Sequence, residues 1–216
     1  MKINDFNVAF DYRIQSSLLT SDCRVTEKYV QSVNGSIIKT DDYGNEVGTI
    51  GTFSADIVLS GLKDLMEPDI VLFDIFDAFD MYLANVGNAI IDEKKEADEL
   101  KKSVRNLTDF APARIISLKT IRINPEYRGM KLCYEATYDM LMNFIGPDDL
   151  AILKPFPLYE NDTDKPSDDE IDKAIEKLRN YYKRMGFRQV RGIKDYMFAT
   201  LPDITQKVYE MNNKKA

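Results

Sequence analysis

The sequence predicts a single α/β or α+β domain, and three observations carry that reading. Apolar and polar residues alternate in the first third as they do along strands. The spacing of apolar residues then switches to a helical period. The last hundred residues alternate strand-like and helix-like stretches without an internal repeat. A chain of 216 residues is long enough for one well-packed domain of this kind. Residues 1–216 are therefore read as one domain, with early strands and helices over 1–112, a core over 113–201 and a tail over 202–216.

In chain order, RVTEKYVQSV (24–33) alternates apolar and polar, NG at 34–35 reads as a hairpin turn, and SIIKT follows as the return strand. A second turn, DDYGNE, leads into VGTIGTFSADIVLS (47–60), completing a meander of three or four antiparallel strands. Leu72, Ile75, Phe76, Phe79, Leu83 and Val86 then recur at helical spacing, and DEKKEADELKKSVRN (92–106) reads as a solvated helix or helical linker. After Pro112, ARIISLKTIRI returns to strand. A helix is expected from about Lys131 to Phe144, with Leu132, Ala136, Met140 and Phe144 on one face and Gly146-Pro147 ending it. LAILKPFPL is a short buried strand running into prolines, and YENDTDKPSDDE an exposed loop ending in a helix N-cap, Ser167. The next helix carries Ile171, Ile175 or Ala174, Leu178 and Tyr182 on one face and stops at Gly186. FRQVRG and DYMFATLP close the domain as strands.

Composition narrows the chemistry. Hydrophobic content of 44% and charged content of 30% describe an ordinary globular protein. A net charge of −7 argues against nucleic acid as a partner, because such binding rests on neutralising phosphates, and it weakly favours cationic partners. No apolar run reaches the length of a membrane span, and Asp5 and Asp11 fall where a signal peptide needs apolar residues, so a cytoplasmic location is expected. Two cysteines, Cys23 and Cys133, are too few for a disulfide framework. The chain has no histidine, which removes Ser-His-Asp and Cys-His nucleophile systems and zinc sites built on Cys and His. No stretch has the spacing of an EF-hand loop, and no metal is expected. Proton transfer falls to Asp, Glu, Tyr, Lys, Cys or water.

The most informative stretch is NPEYRGMKLCYEATYDML (124–141). It reads as a strand end, a tight polar turn and a helix start, which presents unpaired backbone N–H groups suited to a phosphate. Such turns usually carry glycines so that the backbone can approach the ligand, whereas this one continues from Arg128-Gly129 into Met130, Lys131, Leu132 and Cys133.

IRINPEYRG, followed by a helix, AILKPFPL and then KLRNYYKRMGFRQV, resembles the GNAT superfamily of N-acetyltransferases over about residues 113–201. Members show an apolar-x-apolar-x-Pro-x-Tyr-Arg-Gly run and a Tyr four residues before Gly-Phe, here Tyr182 before Gly186-Phe187. The resemblance implies a central mixed, mostly antiparallel sheet flanked by helices, and acetyl-CoA as the acyl donor. It places the CoA pyrophosphate on Arg128, Gly129, Met130, Lys131, Leu132, Cys133 and Tyr134. The backbone at Ile121 and Ile123 would hold the pantetheine arm, and Tyr182 would donate a proton to the leaving thiolate. Dimers are common in the superfamily, so a homodimer is also implied. Three positions depart from its pattern: Lys131 and Cys133 stand where a glycine and a small residue are expected, and Ile175 where many members have Asn.

The function this implies is transfer of an acetyl group from acetyl-CoA to a primary amine of an unidentified acceptor. Polyamines, aminoglycosides and lysine-bearing proteins suit the acidic charge. The alternative is a non-catalytic module of the same fold, or an acyl-CoA sensor. Each residue also has a plainer role: Tyr182 as core packing, Lys131 as a solvated first-turn lysine, Cys133 as a small buried hydrophobe. Asp74, Asp77 and Asp80 are read as a solvated helix flank, with the lining of an acceptor pocket as the sharper reading.

Overall fold

The computed structural model describes residues 6–17, 24–92, 99–158 and 166–213. Seven strands, β1 (Asn7–Ser16), β2 (Val30–Thr40), β3 (Glu46–Val58), β4 (Ile115–Ile123), β5 (Leu150–Leu153), β6 (Arg188–Val190) and β7 (Ile193–Ala199), form one sheet in the order β1-β2-β3-β4-β5-β7-β6. Every neighbouring pair is antiparallel except β4 and β5, which run parallel. The helices are α1 (Ser60–Met66), α2 (Leu72–Phe79), α3 (Met81–Ile90), the single turn α4 (Lys102–Arg105), α5 (Leu132–Phe144), α6 (Asp168–Lys183) and α7 (Leu201–Asn213). This is the predicted class, a mixed and mostly antiparallel sheet flanked by helices.

The first hairpin differs from the sequence reading. Asn34 and Gly35 lie inside β2 rather than in a turn, and Gly35 is not in the left-handed region. Gly35 faces Phe53 across the ladder, and a Cβ built on it would sit 2.0 Å from the Phe53 ring. The glycine therefore makes room for an aromatic ring, which is itself wedged edge-on against Tyr12. The hairpin turn is the second of the two expected, at Asp41–Asn45, where the Asp41 carboxylate accepts from the N–H groups of Tyr43 and Asn45. The strand expected from Arg24 begins only at Val30, because Val25–Tyr29 form a 3-10 turn. β1 was not anticipated. Its alternation of Val8, Phe10, Tyr12 and Ile14 with Ala9, Asp11 and Arg13 is a half-buried strand pattern.

Two helical expectations also change. The stripe from Leu72 to Val86 is broken at Asp80, whose carboxylate caps α3 by accepting from the Leu83 N–H at 2.7 Å. The charged segment 92–106 is not one helix among its described residues. Asp92 N–H donates to the Glu99 carbonyl and only α4 is helical; residues 93–98 lie outside the described set, as do Cys23 and residues 159–165 of the expected loop. The tail is largely helix α7. The core runs between sheet and helices: Val33, Ile37, Ile75, Phe76, Leu83, Ile115, Ile152 and Phe198 are all essentially inaccessible. α5 is tied to β5 by Asp149, a buried carboxylate that accepts from the Gly146 N–H and pairs with Arg114 at 2.6 Å.

Gly35→Ala is expected to destabilise the fold by about 1–3 kcal/mol, through overpacking against Phe53. Urea unfolding at constant m-value measures it, and an unchanged midpoint would show that the ring moves aside freely.

Candidate functional site

β4 and β5 pair only from Ile115 to Leu118, opposite Leu150 to Leu153. Beyond Leu118 the strands part, and Pro155 and Pro157 have no N–H with which to extend the ladder. The Leu118 carbonyl, the last of β4 in the paired stretch, accepts instead from the Tyr82 hydroxyl of α3 at 2.7 Å. Burial raises the Tyr82 pKa to about 12, although the Ser117 hydroxyl and the Lys154 N–H face the same oxygen and work in the other direction. Tyr82 is thus a polar spacer at the point of divergence. Nothing in the sequence sets it apart from the other residues of its amphipathic helix.

The parting strands open a cavity of about 250 Å³, lined by β4 from Leu118 to Ile123, by Leu153–Lys154 and Phe156–Leu158, and by Arg128, Cys133, Leu178 and Tyr182. Strand parity orients its wall. The Asn124 N–H donates to the Ile50 carbonyl of β3, so two-residue alternation turns the backbone of Ile121 and Ile123 away from β3, towards the cavity. The Ile123 carbonyl already accepts from Arg128 Nε at 3.1 Å.

A part-buried ion cluster adjoins the cavity at Lys119. A register shift between Ser54 and Ala55 of β3 leaves Lys119 as an extra residue on β4. Its ammonium lies 3.0 Å from Asp56 and 2.5 Å from Asp80. Asp56 is buried and also accepts from Ser32 at 2.8 Å. Burial works against the Lys119 charge, but the two carboxylates more than offset it and hold its pKa above the usual lysine range. Asp80 is likewise held low by Lys119 and the Leu83 N–H in spite of burial. Asp80 therefore serves the ion cluster and the α3 cap, while Asp74 and Asp77 are exposed and line no part of the cavity. The acceptor-pocket reading of these aspartates does not hold there.

At the lower end lies the turn into α5. Lys131 has φ 67° and ψ 7°, the left-handed conformation, and among the described residues it is the only non-glycine with positive φ. Gly129 is also positive, at φ 82°. Lys131 thus takes up the backbone conformation that favours glycine while carrying a side chain. The first intrahelical bond runs from the Glu135 N–H to the Lys131 carbonyl, so the N–H groups of Leu132 and Cys133 have no acceptor within the helix. Met130 and Leu132 bury their side chains in the core, Tyr134 stacks on Tyr138, and of the seven turn residues Arg128 and Cys133 border the cavity.

Tyr182 reaches the same cavity from α6. Its ring packs edge-on against Tyr181 and Phe187, at 5.5 and 5.9 Å between centroids, and its hydroxyl faces the Cys133 sulfur. Burial is the main cause that raises its pKa, so the phenol stays protonated at neutral pH. Burial also raises the Cys133 thiol, outweighing the opposite influence of the nearby Tyr181, Thr137 and Tyr182 hydroxyls, which leaves it a poor nucleophile. Gly186 ends α6 at φ 100° against α7, where a Cβ would stand 2.6 Å from the Asp203 carbonyl oxygen. That close approach explains the Gly of Gly186-Phe187. Leu178 and Tyr182 belong to an α6 face with no fully buried residue, and both line the cavity.

Sequence comparison matches the chain to no family model and to no curated protein. Among solved structures it is similar to a chain of the KacTA–DNA complex, at 9% identity and TM-score 0.41, covering 94% of this chain and 99% of that one. It is also similar to AtaT complexed with acetyl-methionyl-tRNAfMet, at 11% identity and TM-score 0.36, covering 91% and 98%. Both of those structures hold nucleic acid, whereas the charge of this chain argues against such a partner; likeness this slight decides neither way. No helix among the described residues is long and apolar enough to cross a membrane.

A left-handed lysine costs about 1–2 kcal/mol of backbone strain that a glycine does not bear. Lys131→Gly is accordingly expected to be as stable as the parent or up to about 1 kcal/mol more stable, and the β-branched Lys131→Val about 1 kcal/mol or more less stable. Thermal denaturation of the two variants checks the pair, and a clearly destabilised Lys131→Gly would rule out the strain.

Proposed function

We propose that the chain is an N-acyltransferase that moves an acetyl group from acetyl-CoA to a primary amine. The observation that carries this reading is the cavity between β4 and β5, which Arg128 and Cys133 line from the turn into α5 and which Tyr182 lines with a protonated phenol beside the Cys133 sulfur. The pyrophosphate would meet the N–H groups of Leu132 and Cys133, the positive end of the α5 dipole and the Arg128 and Lys131 charges. The Ile121 backbone would pair with the pantetheine arm.

In the reaction, the neutral amine attacks the thioester carbonyl carbon. The oxyanion is met by a backbone N–H of the open strand, and its collapse breaks the C–S bond. Tyr182 gives its proton to the departing sulfur and regains one from solvent, while the proton shed by the amine leaves through a carboxylate or water. Tyr182 lines the cavity and is protonated at neutral pH; burial by itself makes the phenol a weaker acid, so the donation relies on the basicity of the departing thiolate. Calorimetry with acetyl-CoA and CoA tests the binding, and release of free thiol tests turnover across a polyamine, an aminoglycoside, a lysine peptide and an aminoacyl-tRNA. Binding without turnover on any acceptor would leave the acyl-CoA sensor; no binding would leave the non-catalytic module.

Two variants separate the parts of the reading. Lys131→Glu reverses a charge beside the pyrophosphate and is expected to weaken CoA binding at least about tenfold. Unchanged affinity by calorimetry would make the turn merely structural. Tyr182→Phe keeps the ring packing and removes the hydroxyl, so melting temperature and acetyl-CoA affinity should stay near the parent values while turnover falls about 10²-fold. Unimpaired turnover would take Tyr182 out of the chemistry, and a collapsed melting temperature would assign it to the core.

A further inference from the structure

Among the described residues, β1 forms one edge of the sheet and pairs with β2 alone. It is ten residues long, contains no proline or glycine, and runs in unbroken register. A sheet edge of this length is a template for another strand. Its only charged residues are Asp11 and Arg13, which share the face turned away from α5, and among the described residues neither has an ion-pair partner. On the other face Val8, Phe10, Tyr12 and Ile14 alternate, and Ile14 remains 52% exposed.

We propose that β1 pairs antiparallel with β1 of a second copy of this chain, about a two-fold axis that passes through Tyr12 perpendicular to the sheet. Such an axis keeps each face of the sheet continuous and sets a residue only opposite one of the same side-chain face. Two registers keep nearly the whole strand paired. With the axis through Asp11, that carboxylate meets its own copy. With the axis through Tyr12, Asp11 stands opposite Arg13 of the second copy, the same pair recurs on the other side of the axis, and exposed Ile14 is covered by Phe10. Opposite charges directly across an antiparallel pair stabilise it and like charges destabilise it, so the Tyr12 register wins. The strand is itself neutral in a chain of net charge −7, so the two acidic copies approach along a stretch that adds no repulsion of its own. This pairing is independent of any acyl-transfer activity.

Sedimentation equilibrium of the full chain should give twice the 24.8 kDa chain mass. Because the axis doubles each change, Asp11→Arg alone or Arg13→Asp alone places two like-charged pairs across the contact and should raise the dimer dissociation constant at least about tenfold. The double variant Asp11→Arg with Arg13→Asp restores both pairs with the signs exchanged and should recover the parent value. A parent that stays monomeric at about 100 µM overturns the pairing, as does a dimer indifferent to the single reversals or a double variant that fails to recover. If a single reversal fails to fold, amide exchange of the parent decides: β1 amides must lose protection as the protein is diluted, and constant protection overturns the pairing.

Discussion

The Leu118 carbonyl accepts from a phenol and not from a backbone amide of β5, and the rest of the cavity depends on that substitution. A parallel ladder left to itself would continue, since an unpaired carbonyl in a buried place is costly. Here the carbonyl is satisfied by Tyr82, and Pro155 and Pro157 remove amides that could pull the strands together again. The spacing is held by Lys119, which sits on an extra residue in β4 and is clamped by Asp56 from β3 and Asp80 from the junction of α2 and α3. Three elements are thus pinned at one ammonium. Removing Lys119 would leave the buried Asp56 carboxylate without its counter-charge.

The turn before α5 shows a different economy. A glycine at position 131 would reach the left-handed conformation without strain; the lysine reaches it with strain and adds a cation at the helix N-terminus. A positive side chain there is unfavourable to the helix dipole, so the residue stabilises neither the backbone nor the helix by itself. Both penalties make sense together if an anion docks at that end, since the same charge then acts on the ligand. Strain of this kind gathers at functional positions.

Most of the later half was legible. The turn at 124–131, helices α5 and α6 with Ser167 as a cap, and the strands around them follow from periodicity and punctuation that are local in sequence. The resemblance sets Cys133 beside the pyrophosphate and Tyr182 beside the thiolate, whereas in the structure the Tyr182 hydroxyl faces the Cys133 sulfur in one cavity wall. What stayed hidden depended on partners far along the chain. Asn34-Gly35 has the composition of a turn, but its glycine answers to Phe53, eighteen residues on. Asp80 reads as a helix flank, yet its role comes from Lys119. Tyr82 has no local signature because the group that needs it is the carbonyl of another strand.

The inventory of protons around the cavity has a wider consequence. The chain contains no histidine, and burial drives the phenols of Tyr82 and Tyr182 and the thiol of Cys133 upwards, away from neutrality. None of these groups changes its charge when the surroundings drift from mildly acid to mildly alkaline. A chemistry run on such a scaffold would keep time with the ionisation of whatever amine arrives, and the incoming molecule would carry its own clock.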